Sequence, residues 1–259
     1  HSTGCAGGCL FAWIDEWFKN TWITEPMSCP PDRRPMWHNL CSPEENFGLL
    51  SFEPDTINYD EFFEFEGLGR IKKVQAAKDF QFFHLRIYLD SMIQGDDSLW
   101  IAYDTYKENE GEMLLPNGEV MNYLPEFALV ITKDSANLFV TRSYNTFGKW
   151  FHTEGNDQIF KTRLSIGEPW DLVMWQNNFF EKNLPCIQYI GRLRSRDSIA
   201  PASHLDAVVK YKNYIDVRIP WQLLNFTDPS QNKVLNDDKD TPEIEYYTTN
   251  GIAVTVIIG

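Results

Sequence analysis

Residues 82–104, FFHLRIYLDSMIQGDDSLWIAYD, constrain the fold more than any other stretch, because two apolar alternations flank a polar connection. In the first, Phe83, Leu85, Ile87 and Leu89 alternate with Phe82, His84, Arg86 and Tyr88. A period of two gives each set its own side of a strand, so the spacing predicts a core face of Phe83, Leu85, Ile87 and Leu89. In the second, Leu99, Ile101 and Tyr103 alternate with Trp100, Ala102 and Asp104. Gln94, Gly95, Asp96 and Asp97 between them are turn-forming or charged and carry no long apolar side chain. A sheet is the expected framework.

The 259 residues, 43% of them hydrophobic, suffice for one large core or two modest ones. A formal charge of -14, from 23 Lys+Arg against 37 Asp+Glu, repels phosphate backbones and anionic headgroups. Nucleic acid and membrane surfaces are therefore not the expected partners. No apolar run approaches the roughly 20 residues that span a bilayer. The nine Trp and an aromatic fraction of 15% exceed what a sheet core needs, and exposed rings commonly bind the apolar faces of sugars. For any single Trp, burial is the plainer reading. Cys5, Cys9, Cys29 and Cys41 fall early and Cys186 stands apart. Their spacing does not match paired zinc knuckles, with or without His38, so buried free thiols are expected, and the odd count argues against a disulfide scaffold. The sequence opens at His1 and enters a strand-like stretch almost at once, so a longer parent protein is expected.

Residues 4–13, GCAGGCLFAW, are small and then apolar, as suits a buried strand with crowded backbone neighbours. Asp15 and Glu16 follow directly. Acidic and aromatic residues at the C-terminal end of a buried parallel strand lie where barrel enzymes place their chemistry. The run GGCLFAWIDEWFKNTW, followed by PDRRPMWHNL and ENFGLL, resembles the last strand and exit segment of a TIM barrel related to clan A glycoside hydrolases. The resemblance implies that Trp13 floors a sugar subsite, with Asp15 and Glu16 beside it as catalytic carboxylates in an intact barrel only. Read on their own, the same two carboxylates begin a helix, where they satisfy free N–H groups and favour the dipole. Glycoside hydrolysis needs two carboxylates at a defined separation, and the other barrel strands are not in this sequence, so no hydrolysis by this chain alone is expected.

Residues 21–54 are rich in Pro and show neither period, which reads as an ordered linker packed through Trp22, Met36, Trp37, Phe47 and Leu50. The expected division is 1–54, the end of a truncated barrel, and 55–259, a sheet domain. Further strands are expected at 71–77, 127–131, 138–141, 170–175, 208–211, 215–219 and 252–258. Many short strands separated by turns point to a mainly β fold, an antiparallel β-sandwich or jelly roll. In residues 214–230, YIDVRIPWQLLNFTDPS, Ile215, Val217 and Ile219 alternate with Asp216 and Arg218 before Pro220 stops the ladder. Residues 221–224 then read as a single helical turn, with Trp221 as a core plug. Together with HLRIYL, its charged connection and SLWIAYDTY, this block resembles the family 9 carbohydrate-binding modules and the DOMON-like sandwiches related to them, over residues 55–259. The resemblance implies a jelly-roll-like module that binds oligo- or polysaccharide beside its barrel; the compartment stays open, a secreted or cell-envelope protein being the favoured reading.

A pyranose offers C–H on its faces and hydroxyls around its edge, so its receptor needs a flat aromatic ring flanked by planar hydrogen-bonding side chains. Trp170 and Asp171, with Trp175, Gln176 and Asn177, fit that description best, and Trp150 with His152 is a second aromatic source. Family 9 modules clamp a terminal sugar between two Trp, which by resemblance implies Trp150 and Trp175. Asp96 and Asp97, near Asp90 and Asp104, are candidate ligands for Ca2+, which takes six to eight oxygens. Asp237, Asp238 and Asp240 form a second acidic run, and solvated charge is the plainer reading of both. Asn225-Phe226-Thr227 is a glycosylation sequon in form, and no phosphate loop, nucleophile elbow or HExxH helix is present. Three functions remain open: a sugar-binding module on a barrel glycosidase, a sandwich that only braces the barrel, and a fragment carrying half of a catalytic site.

Overall fold

The computed structural model describes residues 12–14, 48–50, 57–59, 63–79, 82–145, 169–173, 175–178, 185–203, 206–236 and 245–259. A parallel ribbon joins β1 (Ala12–Ile14) to β2 (Gly48–Leu50). Two antiparallel meanders follow, β3 (Phe63–Glu66), β4 (Ile71–Lys78) and β5 (Phe82–Leu89), then β6 (Leu99–Asp104), β7 (Phe127–Ile131) and β8 (Ala136–Thr141). Next come β9 (Trp170–Leu172) and the antiparallel ribbon of β10 (Trp175–Asn178) with β11 (Pro185–Gln188). The remaining strands are β12 (Arg192–Asp197), β13 (Asp206–Lys210), β14 (Tyr214–Pro220), β15 (Phe226–Asp228), β16 (Lys233–Leu235), β17 (Tyr246–Thr248) and β18 (Ala253–Ile258).

Eleven of these strands form one mixed sheet in the order β18-β6-β7-β8-β12-β13-β14-β5-β4-β3, with β9 also on β8. The sheet curls so that its two ends face each other, and one apolar cluster draws on both. Phe83 of β5 meets Tyr103 of β6 edge to face across that core, ring centroids 6.2 Å apart. Although β5 and β6 are consecutive they do not pair, and the connection between them carries the chain from one half of the curl to the other. Leu85, Ile87 and Leu89 are buried as the alternation requires, in register with Val217 and Ile215 of β14. Phe83 is half-buried and closes the row against Trp221. Phe82 and His84 on the other face are buried as well, because the Arg218 guanidinium lies over the Phe82 ring and His84 is bonded to Asp79.

In β7 the residues FALVI are buried throughout, as a continuous apolar run should be when both faces are covered. One face meets the main core, and Leu115 and Met121, from the long connection after β6, cover Trp100, Ala102, Ala128 and Val130 on the other.

Strand β12 is where the sheet departs from the all-antiparallel expectation. Its first residues, Arg192 and Leu193, pair antiparallel with β8, and Arg194–Asp197 pairs parallel with β13, with a register shift between Arg194 and Ser195. A parallel neighbour ordinarily needs a crossover of a dozen or more residues. Here β12 and β13 are separated by only a short connection, and the Arg196 guanidinium ties down its start by donating to the carbonyls of Asp197, Ser198 and Ala200 at 3.1, 3.2 and 3.1 Å. Gly191 permits the turn before β12 to press on β8, since a Cβ there would lie 2.5 Å from the Leu138 carbonyl oxygen.

Pro220 ends β14, and Trp221–Leu224 forms one 3-10 turn that closes on Asn225 in the left-handed region, φ 59. Trp221 is buried between Phe83 and Phe226, and its indole N–H donates to the Asp79 carbonyl at 2.9 Å. It is the plug that the sequence suggests. No helix among the described residues is long and apolar enough to cross a membrane.

Candidate functional site

The face of β5 and β14 turned away from the core carries a polar groove of about 550 Å³, bounded by Tyr59, His84, Arg86, Asp206, Asp216 and Arg218 among others. Alternation builds it. The antiparallel register sets His84 opposite Arg218, Arg86 opposite Asp216 and Tyr88 opposite Tyr214. Directly opposed residues have Cβ atoms only about 5 Å apart, so opposite charges meet without distortion. The Arg86 Nε and Nη2 groups donate to the two Asp216 carboxylate oxygens at 2.7 and 2.8 Å. The rings of Tyr59 and Tyr214 flank the same guanidinium at 4.5 and 4.6 Å, a planar cation held between two π faces. Tyr211 in turn stacks on Tyr214 with ring centroids 4.4 Å apart.

At the β13 end the Asp206 carboxylate accepts from the Ser203 N–H at 2.8 Å, from Arg194 at 2.7 Å and from Arg196, while the Arg218 Nε–H donates to the Asp206 carbonyl at 2.6 Å. Burial alone would raise the Asp206 carboxyl, but the Ser203 N–H and the two guanidiniums outweigh it and hold it below its ordinary value. Burial, reinforced by the Asp216 charge, pushes the Tyr59 hydroxyl far above its ordinary value, so it stays a proton donor. The hydrogen bonds to Asp216 raise Arg86 further, and it stays a cation. His84 is buried, with Nε2 2.8 Å from Asp79 Oδ2, and the other oxygen of Asp79 accepts the Phe82 N–H at 2.6 Å. The groove thus presents oriented charged groups, paired with one another, and tyrosine rings along its wall.

The described Trp candidates from sequence, Trp13 and Trp170, lie on different strands, β1 and β9. Trp13 is 68% exposed on β1, beside Leu49 at 53% on β2. Trp170 is half-buried on β9, where its ring lies against the Trp100 cluster and its indole N–H donates to the Leu114 carbonyl at 2.7 Å. Its neighbour Asp171 pairs with Arg142 at 3.0 Å. Trp175, Gln176 and Asn177 lie on β10, paired with β11, and their side chains fall outside the described residues, as do Asp15, Glu16, Trp150 and His152. Cys5, Cys9, Cys29, Cys41, His38, Asp237, Asp238 and Asp240 are outside them too. The structure does not bring Trp13 or Trp170 into the groove.

Asp96 and Asp97 occupy the turn after β5, where Gly95 takes φ 57. Asp97 is committed to Arg70 at 2.8 Å and to the Gln94 N–H at 3.2 Å, and the Arg70 hydrogen bond first, then that N–H, holds its carboxyl below the ordinary value. Among the described residues no group of three or more His, Cys, Asp or Glu is placed to share a metal ion. Asn225 of the sequon is buried and its amide donates to the Tyr144 carbonyl at 3.2 Å, so the folded chain offers no access to it.

A second polar cluster sits at the end of β6. The buried Glu126 carboxyl accepts the N–H groups of Thr105 and Tyr106 at 2.6 and 3.2 Å through Oε2, while Oε1 has no hydrogen-bond partner among the described residues. Burial and the nearby Asp104 push Glu126 well above its ordinary value, and burial with Glu108 raises Asp104 to about 6. Two backbone bonds through one oxygen make Glu126 the clasp of the loop that leaves β6.

Compared with known proteins, the chain matches no family model, no curated protein and no solved structure. The residues of the groove were not singled out from sequence. Their signal was present in the polar halves of two alternations, His84, Arg86 and Tyr88 against Asp216 and Arg218, and needed only the register of β5 on β14 to be read.

Proposed function

We propose that this chain is a non-catalytic carbohydrate-binding module, and that the sugar lies in the groove between Tyr59, Arg86, Asp216 and Asp206. The curled sheet is then a β-sandwich of the family 9 carbohydrate-binding kind, antiparallel except at β12 and β13, attached to the end of a glycosidase barrel. The observation that carries the reading is the Arg86–Asp216 pair held between two tyrosine rings. Its donors and acceptors are oriented before any ligand arrives, which lowers the ordering cost that limits small-ligand affinity. Affinity on the order of micromolar to millimolar is expected for a few such contacts. Titration calorimetry with a panel of neutral and acidic oligosaccharides tests the proposal. Saturable heat that disappears in Arg86→Ala and Tyr211→Ala, with the fold intact by circular dichroism, supports it. No heat across the panel refutes it.

The bracing role is favoured by a different observation. Trp13 and Leu49 leave apolar surface exposed on the N-terminal ribbon, and Trp170 spends its ring and its N–H on internal contacts. A barrel domain supplied by the parent protein would cover Trp13. In that case the sandwich should raise the barrel's melting temperature when the two are joined, with no dependence on sugar.

A further inference from the structure

On the inner face of the sheet, behind the groove, the curl leaves an apolar cleft of about 320 Å³ between β3, β4 and β5 on one side and β18 on the other. Phe65, Phe83, Leu85, Trp221, Phe226 and Val254 wall it. The space has a local cause in the sequence. Val74 of β4 fills the core completely, but two residues on, on the same side of the strand, the chain has only Ala76, opposite Leu85. A cavity walled by aliphatic and aromatic groups gives water no partners and stays dry unless an apolar ligand enters it.

The rim is chemically different from the walls. Lys78 and Asn232 border the opening, and Gly251 stands beside them at φ 135 with nothing within 4 Å of where a Cβ would be. Among the described residues the Lys78 ammonium forms no salt bridge, although Lys72 and Lys73 on the same strand do. The Asn232 side-chain amide forms no hydrogen bond there either, its αL backbone being held through Pro229 and Thr249. An exposed cation and a free amide at the mouth of a dry cleft complement an anionic head on an apolar body.

We infer that the cleft binds a single-chain aliphatic carboxylate, its chain between the two halves of the sheet and its head at Lys78 and Asn232. At about 30 Å³ per group, the share of one water in the liquid, the cleft has room for about ten methylene-sized units. Decanoate is the matching probe. The site is separate from the sugar groove, since Phe83 and Leu85 point into the cleft while His84 and Arg86 point into the groove. Neither reading depends on the other.

The test is calorimetric titration of the whole chain with decanoate and, in parallel, decanol. Decanoate is expected to bind saturably and at least tenfold more tightly than decanol. Lys78→Gln should remove that preference and leave decanol unchanged, and Ala76→Phe should abolish both by filling the cleft. Should Ala76→Phe fail to fold, Val254→Phe fills the same space from the opposite side. No saturable decanoate binding, equal affinity for acid and alcohol, or binding that survives the filled cleft overturns the inference.

Discussion

Removing the Arg86–Asp216 pair tests the frame of the proposed groove directly. Hydrogen bonds to charged groups contribute about 1.5–3 kcal/mol each where water is excluded, and this pair has two. The side chains are 28% and 22% exposed, so water replaces part of what is lost. Asp216→Ala should therefore cost about 2 kcal/mol, and Arg86→Ala about 3, because Arg86 also gives up contacts to Tyr59 and Tyr214 at about 0.5–1 kcal/mol apiece. In the double variant the shared bonds are counted once, so its cost should fall short of the sum by about 1–2 kcal/mol. Urea unfolding of the four proteins measures this, with the m-value checked for constancy. The coupling should survive 1 M salt, since the atoms are in contact and the screening length there is still about 3 Å. A double variant whose cost equals the sum within about 0.3 kcal/mol would show that the pair does not position the groove, and the pre-orientation argument would fall with it.

Asp104 gives a pH signature. Its folded value of about 6 lies above 3.8, so the folded state keeps the proton over that interval, and the stability this group contributes is present below about 4 and lost as pH rises through about 6. A shift of that size is worth about 3 kcal/mol for a fully buried carboxyl, and solvent around this half-buried one reduces it to about 1. Asp104→Asn should raise stability at pH 7 by that amount and flatten the melting temperature between pH 4 and 6, and a destabilised variant with the wild-type slope would contradict the assignment. Gly191→Ala should cost about 3 kcal/mol in urea unfolding, since its Cβ would meet backbone atoms of Leu138 and Val173 at 2.5 to 2.9 Å. Gly69→Ala, at φ 61 in open space, should cost only about 1, so equal costs would show that the close approach at Gly191 is not what matters.

Where a strand's apolar pattern mirrors its burial, alternating or continuous, the sequence is readable. Ile215, Val217 and Ile219 alternate cleanly and pair with β5 as alternation requires, and FALVI is continuous because β7 is covered twice. Strands without an apolar pattern carry no such signal. The residues RLRSRD of β12 carry one apolar side chain, and what makes them a strand is their place between β8 and β13 together with the loop that Arg196 clamps. Strands β15, β16 and β17 are three residues each, too short to show a period, and are held by pairing with one another. The parallel step at β12 could not be anticipated either, because nothing local to RLRSRD says that the following strand will pair parallel.

The site was less legible than the fold for a reason that lies in how aromatic side chains divide their work. Nine Trp suggested that tryptophan faces would receive the sugar. Of the four Trp side chains described, Trp100 and Trp221 are buried, Trp170 is turned onto the core, and only Trp13 is exposed. An indole has a single donor, and once Asp79, Leu114 or Ser98 accepts it the ring is best placed as a plug. Tyrosine divides differently, because its hydroxyl lies at the far end of the ring and can stay in a polar groove while the ring packs. Tyr59, Tyr88, Tyr211 and Tyr214 gather on the outer face for that reason, each against Arg86, Lys73 or one another. None of them is notable in sequence without the register that sets Tyr88 opposite Tyr214 and Arg86 opposite Asp216. A polar face made this way is a property of pairing between strands some 130 residues apart in the chain, the separation of Arg86 from Asp216. It becomes visible only when the two alternations are laid side by side.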